Sequence, residues 1–189
     1  MRHLGARRLL LVMTVAAAVS GAAAETVHVP EPHGYWLGPI HGPVPATITG
    51  GTVLDTARLE HLLASGGAVL VDVSEAPYRP SGLPAGTLWL PPPHRDIPGS
   101  VWIPNVGRGT ISPRFAAWFH TRLATLTGGN PKKPIVVYCH TGCWLSWNAA
   151  RRVINDGYRT VFWFPGGMED WKAAGHPTAV IKPEGPDAR

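Results

Sequence analysis

The sequence predicts a single α/β domain built on a mostly parallel sheet that is covered on both faces. Two observations carry that reading. Continuously apolar runs at 68–73 (AVLVDV) and 134–139 (PIVVYC) have the length and β-branched content of strands buried on both sides. Such runs alternate with helical patterns, the order that produces a parallel sheet with helical crossovers.

The first 24 residues read as a secretory leader and are set aside before the fold is considered. Arg2, Arg7 and Arg8 form a basic start, residues 9–19 are apolar, and Ala22, Ala23 and Ala24 supply a small-residue cleavage site before Glu25. The apolar run is shorter than the roughly 20 residues a membrane helix needs, and no later run approaches that length. Cleavage is expected to leave no stable membrane anchor. The leader holds three of the 17 basic residues and none of the 12 acidic ones, so the remainder carries a charge of +2 and not +5. Nucleic acid is therefore not an expected partner.

Residues 25–51, rich in Pro, Gly and His, read as an extended arm that either lies on the domain or docks a partner. Residues 54–65 form a short helix, with Asp55 as cap, Leu59, Leu62 and Leu63 on one face, and Gly66-Gly67 as stop. The strand at 68–73 follows. The Pro-rich stretch 74–98 is not assigned to regular structure, and 100–104 (SVWIP) is a second short strand. Ser112-Pro113 opens a helix whose buried stripe is Phe115, Phe119, Leu123 and Leu126, stopped at 128–131 by GGNP. After the strand ending at Cys139, residues 143–156 are helical, with Gly157 beyond the last turn. A strand at 160–164, a turn with Gly166 and Gly167, and a last helix at 168–174 complete a domain expected to span 52–180, followed by a tail at 181–189.

Chemistry, if present, centres on Cys139. It stands where a buried strand ends and a loop turns into a helix, and ligands of parallel sheets bind beyond the carboxyl ends of their strands. Helix N–H groups there favour an anion, so a thiolate at Cys139 is expected to have a lowered pKa. The alternative is a buried structural cysteine. Cys143 follows four residues later. A bridge between the two closes too short a loop to constrain the unfolded chain much, and it requires the Cβ atoms to move from about 5–6 Å to about 3.8 Å. No metal or cofactor is expected: Cys139, His140 and Cys143 are three ligands at most, in unsuitable spacing for zinc, and no His follows Cys143 as a c-type haem requires. There is no Gly-rich nucleotide loop and no glycosidase-like carboxylate pair. Of the eight Trp residues, Trp147, Trp163 and Trp171 read as packing, while Trp144 lies in the loop beside the thiol.

The run VVYCHTGCW, SWNAARRVINDGYRTVFWFPGGMEDWKAAGHP resembles the C-terminal half of a rhodanese domain. VLVDVSE, with Asp72, and DIPGSVWIP resemble its upstream segments. The likeness covers about residues 52–178. It implies a rhodanese-like three-layer α/β/α sandwich, with Cys139 as nucleophile in a loop of His140, Thr141, Gly142 and Trp144, and Asp72, Gly166 and Gly167 as structural neighbours.

The sequence departs from that pattern in two places. No Arg follows Cys139 in the loop, which also reads as one residue longer than in common sulfurtransferases, and Ser74 stands where an Arg is frequent. A bidentate Arg is the usual grip on an oxyanion, so its absence weakens the case for thiosulfate.

The cysteine pair with Trp144, the Gly34-Tyr35-Trp36 motif and the Pro-rich insertion near 91–94 resemble exported rhodanese-like proteins associated with pyrroloquinoline-quinone-dependent catabolism. Three residues separate the cysteines here, whereas the motif that names that group has two. The resemblance implies a periplasmic protein with sulfur transfer or thiol redox chemistry at Cys139 and Cys143 as resolving thiol. A small sulfur donor or thiol is the implied substrate, with backbone N–H groups of 140–144 stabilising the anion. The alternative is a non-catalytic accessory module for a periplasmic quinoprotein dehydrogenase, contacting it through the arm and exposed Trp residues.

Overall fold

Alternation along the central strands decides which helices cover which face. In a computed structural model describing residues 28–186, five strands form one parallel sheet in the order β1-β6-β5-β2-β4: β1 (Thr52–Val53), β2 (Val69–Asp72), β4 (Val101–Trp102), β5 (Ile135–Tyr138) and β6 (Val161–Phe164). Val71, Ile135, Val137, Val161 and Trp163 face α2 (Pro113–Thr127) and α3 (Trp144–Asn155). Leu70, Val136, Tyr138 and Phe164 face α1 (Thr56–Ala64) and α4 (Gly167–Ala173). The result is the expected three-layer α/β/α sandwich. The leader at 1–24 lies outside the described residues.

The helices begin where their caps place them. Asp55 accepts from Arg58 N–H at 2.8 Å, and Ser112 from Phe115 N–H at 3.1 Å with Pro113 in the first turn. Phe119 and Leu123 of the expected α2 stripe are buried, but the third buried position is Thr127 and not Leu126. Thr127 returns its hydroxyl to Leu123 O, which satisfies it in the core.

Regular structure also appears where the sequence showed none. Residues 94–96 form β3 (His94–Asp96), antiparallel to β7 (Ala179–Ile181). The chain after 180 stays attached: Pro183 bridges to Trp102, and Glu184 pairs twice with Arg122 at 2.6 and 2.8 Å. The expected boundary at 180/181 thus falls inside β7. Tertiary pairing made this strand, since AVI alone is too short to carry a period.

The arm lies on the domain, along α3. Trp36 exchanges two backbone bonds with the Asn148 side chain (2.8 and 3.0 Å), Trp147 donates to Thr47 O at 3.0 Å, and the Arg152 guanidinium sits 3.9 Å from the Tyr35 ring centre. Among the described residues every Trp is buried or partly buried. The arm uses Trp36 against its own domain. No helix among the described residues is long and apolar enough to cross a membrane.

Candidate active site

Cys139 directly follows β5 and continues the face of Ile135 and Val137, so its side chain enters the core and not the loop cavity. It is fully buried, and its thiol lies 3.7 Å from the carbonyls of both His140 and Cys143. The loop then turns through Gly142, with φ at +65°, and delivers Cys143 to the N-cap of α3. Cys143 thus stands at the start of the helix, four residues beyond the end of the strand. The two thiols are free and both are buried.

Their acidities separate accordingly. Burial pushes the Cys139 thiol well above its ordinary value, and the neighbouring Cys143 adds to the rise. Cys143 is lowered to about 7, first by the hydrogen bond from Cys139, then by backbone N–H groups of Leu145 and His140 and by the charge of His41, against the effect of burial. The Cys139 side chain occupies the apolar layer, where a charge is costly, and this opposes the thiolate expected there.

The remaining loop groups are committed elsewhere. His140 Nδ1 meets Glu169 Oε1 at 2.8 Å, Thr141 N–H donates to Glu169 Oε2 at 2.9 Å, and Thr141 Oγ1 donates to Gly166 O at 2.7 Å. Glu169 is held below its usual range although burial opposes this, because those two donors face it. Trp144 N–H donates to Ile40 O at 2.8 Å in the arm, and Gly42 N–H to Gly142 O at 2.9 Å. Two N–H groups expected to cradle an anion, those of Thr141 and Trp144, are therefore already taken. The carboxylate of Glu169 beside the loop further disfavours a multiply charged oxyanion.

The arm closes the site. His41 bridges to Cys143, Trp36 stacks on Trp144 with centroids 4.4 Å apart, and Trp144 meets Trp147 edge-on at 5.6 Å. Sequence reasoning did not find His41 or Ile40. The only available signal was the pairing of Gly34-Tyr35-Trp36 with a Cys-Trp step, which spacing alone does not link.

Gly166 and Gly167 shape the floor. A Cβ on Gly167, whose φ is +55°, would stand 2.3 Å from Cys139 O, the atom that accepts Met168 N–H at 2.9 Å. Gly167→Ala is expected to destabilise the fold by at least ~2 kcal/mol, since left-handed backbone alone costs an L-residue about 1–2 kcal/mol and the clash is with main chain. Denaturant unfolding measures it; a change under about 0.5 kcal/mol refutes this packing.

Asp72, at the end of β2, orders a second cluster. Its Oδ1 receives Ser74 N–H at 2.8 Å and Ser74 Oγ–H at 2.6 Å, while Oδ2 lies 2.6 Å from His94 Nε2. Asp96 Oδ1 lies 2.9 Å from the same nitrogen. Burial disfavours the charges of all three, yet the hydrogen bonds from His94 and its neighbours hold Asp72 low, and the two carboxylates raise His94 to about 9. Asp96 is pushed up to about 7, mainly by burial and then by Asp72. Sequence reading took Asp72 as a structural residue that fixes loops at the strand end. It did not connect His94 and Asp96 to it, because they lie 22 and 24 positions away across an unassigned segment.

The family profile described as Rhodanese-like domain matches residues 55–174. Among solved structures, a full-length protein from Lactobacillus plantarum is 24% identical, with a TM-score of 0.42, covering 67% of this chain and 83% of its own. A thiosulfate sulfurtransferase from Pseudomonas aeruginosa is 20% identical, with a TM-score of 0.48, covering 71% of this chain and 21% of its own. The polysulfide-sulfur transferase homodimer from Wolinella succinogenes is 20% identical, with a TM-score of 0.42, covering 74% of this chain and 84% of its own.

Proposed function

Because the chain belongs to the rhodanese family, we propose that it is a sulfur-handling dithiol protein, exported, in which Cys139 and Cys143 act as one centre. One observation carries the reading: two free thiols flank one loop, Cys139 in the core at the end of β5 and Cys143 at the N-cap of α3, and Cys143 is the one whose pKa is held below its ordinary value. A pair of this kind is chemically suited to sulfane sulfur and disulfides, whose transfer needs a thiolate and a second thiol in reach. Without a loop Arg, and with Glu169 beside the loop, persulfides and disulfides suit it better than thiosulfate.

The Cys143 thiolate attacks the outer sulfur of a persulfide donor, and the donor leaves as its thiolate. Cys139 then gives up its proton, attacks the Cys143 sulfur, closes the disulfide and expels hydrosulfide. An external dithiol returns the pair to its reduced form. Entry at Cys143 reverses the roles expected from sequence, where Cys139 attacks and Cys143 resolves. Access requires the arm around His41 to leave the loop. The periplasmic setting and the association with quinoprotein alcohol oxidation rest on the sequence resemblance.

The test is intact mass after exposure of the reduced protein to a persulfide donor. The wild type is expected to lose two hydrogens, whereas Cys139→Ser accumulates one added sulfur. A long-lived adduct in Cys143→Ser instead restores the order read from sequence. No mass change in any form favours the second reading, a non-catalytic partner for a quinoprotein dehydrogenase, which the burial of both thiols supports. Such a module keeps its partner binding in Cys139→Ser.

A further inference from the structure

The cluster at the end of β2 leaves one buried carboxyl group, Asp96, without a hydrogen-bond partner. Asp72 and Asp96 are both fully buried, and one imidazole stands between them. Neither Asp96 oxygen has a hydrogen-bond partner of acceptable geometry, because the single Nε2 of His94 is nearer Asp72. Among the described residues no Lys or Arg pairs with either carboxylate; Arg95, next in sequence, turns out to Thr178. A buried, unpaired carboxylate is costly enough that proteins neutralise it with a proton, a partner or an ion.

We propose that Asp72, His94 and Asp96 form a three-ligand site for one divalent transition-metal ion. One nitrogen and one oxygen from each carboxylate lie within 4.8 Å of one another, and the separations through Nε2 are 2.6 and 2.9 Å. Those spacings approach the edges of a coordination shell with bonds of about 2.0–2.2 Å. A neutral imidazole and two carboxylates carry a charge that one divalent cation balances. Mixed imidazole and carboxylate donors suit Zn²⁺, Mn²⁺, Fe²⁺ or Co²⁺, while three ligands are too few for Ca²⁺.

The surroundings are those of a held ligand set. Ser74 fixes Asp72 through Oδ1 and leaves Oδ2 aimed at the site. The His94 ring stacks on Trp102 with centroids 3.7 Å apart, which sets its plane. On its other side His94 borders, with Pro93, Trp102 and Lys182, a cavity of about 350 Å³. The site is independent of the thiol pair and of the function proposed for it.

The experiment uses untagged protein treated with chelator, in wild-type and Cys139→Ser/Cys143→Ser forms, titrated with Co²⁺ and followed by visible absorption and by elemental analysis after dialysis. One Co²⁺ per chain is expected in both forms, with a thermal midpoint that rises as the ion is added. Asp96→Asn keeps the shape and removes the unpaired charge, so it is expected to fold, yet to bind at least ~10-fold more weakly. Folded wild type that takes up no Co²⁺, uptake that vanishes without the thiols, or equal uptake in Asp96→Asn overturns the proposal.

Discussion

Cys143→Ser is expected to lower the rate of thiol alkylation at pH 7 by about 50-fold. At a pKa of about 7, half of Cys143 is thiolate at that pH. The remaining thiol, Cys139, sits above its ordinary value because it is buried, so under about 1% of it is ionised. The pH profile carries the sign. Wild-type alkylation is expected to rise through a midpoint near pH 7 and to fall away below it, as the thiolate is protonated. In Cys139→Ser the midpoint moves upward, since the hydrogen bond from the Cys139 thiol is the largest cause of the depression and a serine hydroxyl at the same depth reaches less far. Stopped-time alkylation with iodoacetamide, read by mass, measures all three. A wild-type midpoint near the ordinary thiol value refutes the lowered pKa of Cys143.

Trp144→Ala is expected to destabilise the protein by about 3–5 kcal/mol, a large part of a typical domain's stability. The ring is 2% exposed and joins two layers: it stacks on Trp36 of the arm and meets Trp147 of α3. Its removal leaves a cavity at the start of α3 and frees the arm. The thermal midpoint should fall by on the order of 10 °C, and Cys143 should alkylate faster. Trp36→Ala separates these effects, because its ring is only partly buried. It should release the thiols while costing much less stability. A Trp144→Ala midpoint within a few degrees of wild type means the arm does not rest on this ring.

The difference between what was legible and what was not follows from the range of each signal. The buried strands at 68–73 and 134–139, and the Asp55 and Ser112 caps, are local: composition and spacing within a few residues determine them. β3 and β7 carried no such signal, since three residues each become strands only by pairing with one another across more than 80 positions. The thiol pair shows the same division. That Cys139 ends a strand and Cys143 opens a helix is readable from the sequence. Which of them is ionised depends on the pleat that sends Cys139 inward and on the turn at Gly142 that leaves Cys143 among free N–H groups.

The sequence by itself determined the layered α/β architecture, the order of its main elements and the strand-to-helix junction holding two cysteines. The tertiary structure alone decided three further things: that the arm lies over those thiols, that Cys139 points into the core while Cys143 caps α3, and that Asp72, His94 and Asp96 meet. The physical reason is common to all three. Acidity and ligand geometry depend on burial and on partners brought together from distant segments, and neither is encoded in a short window of chain.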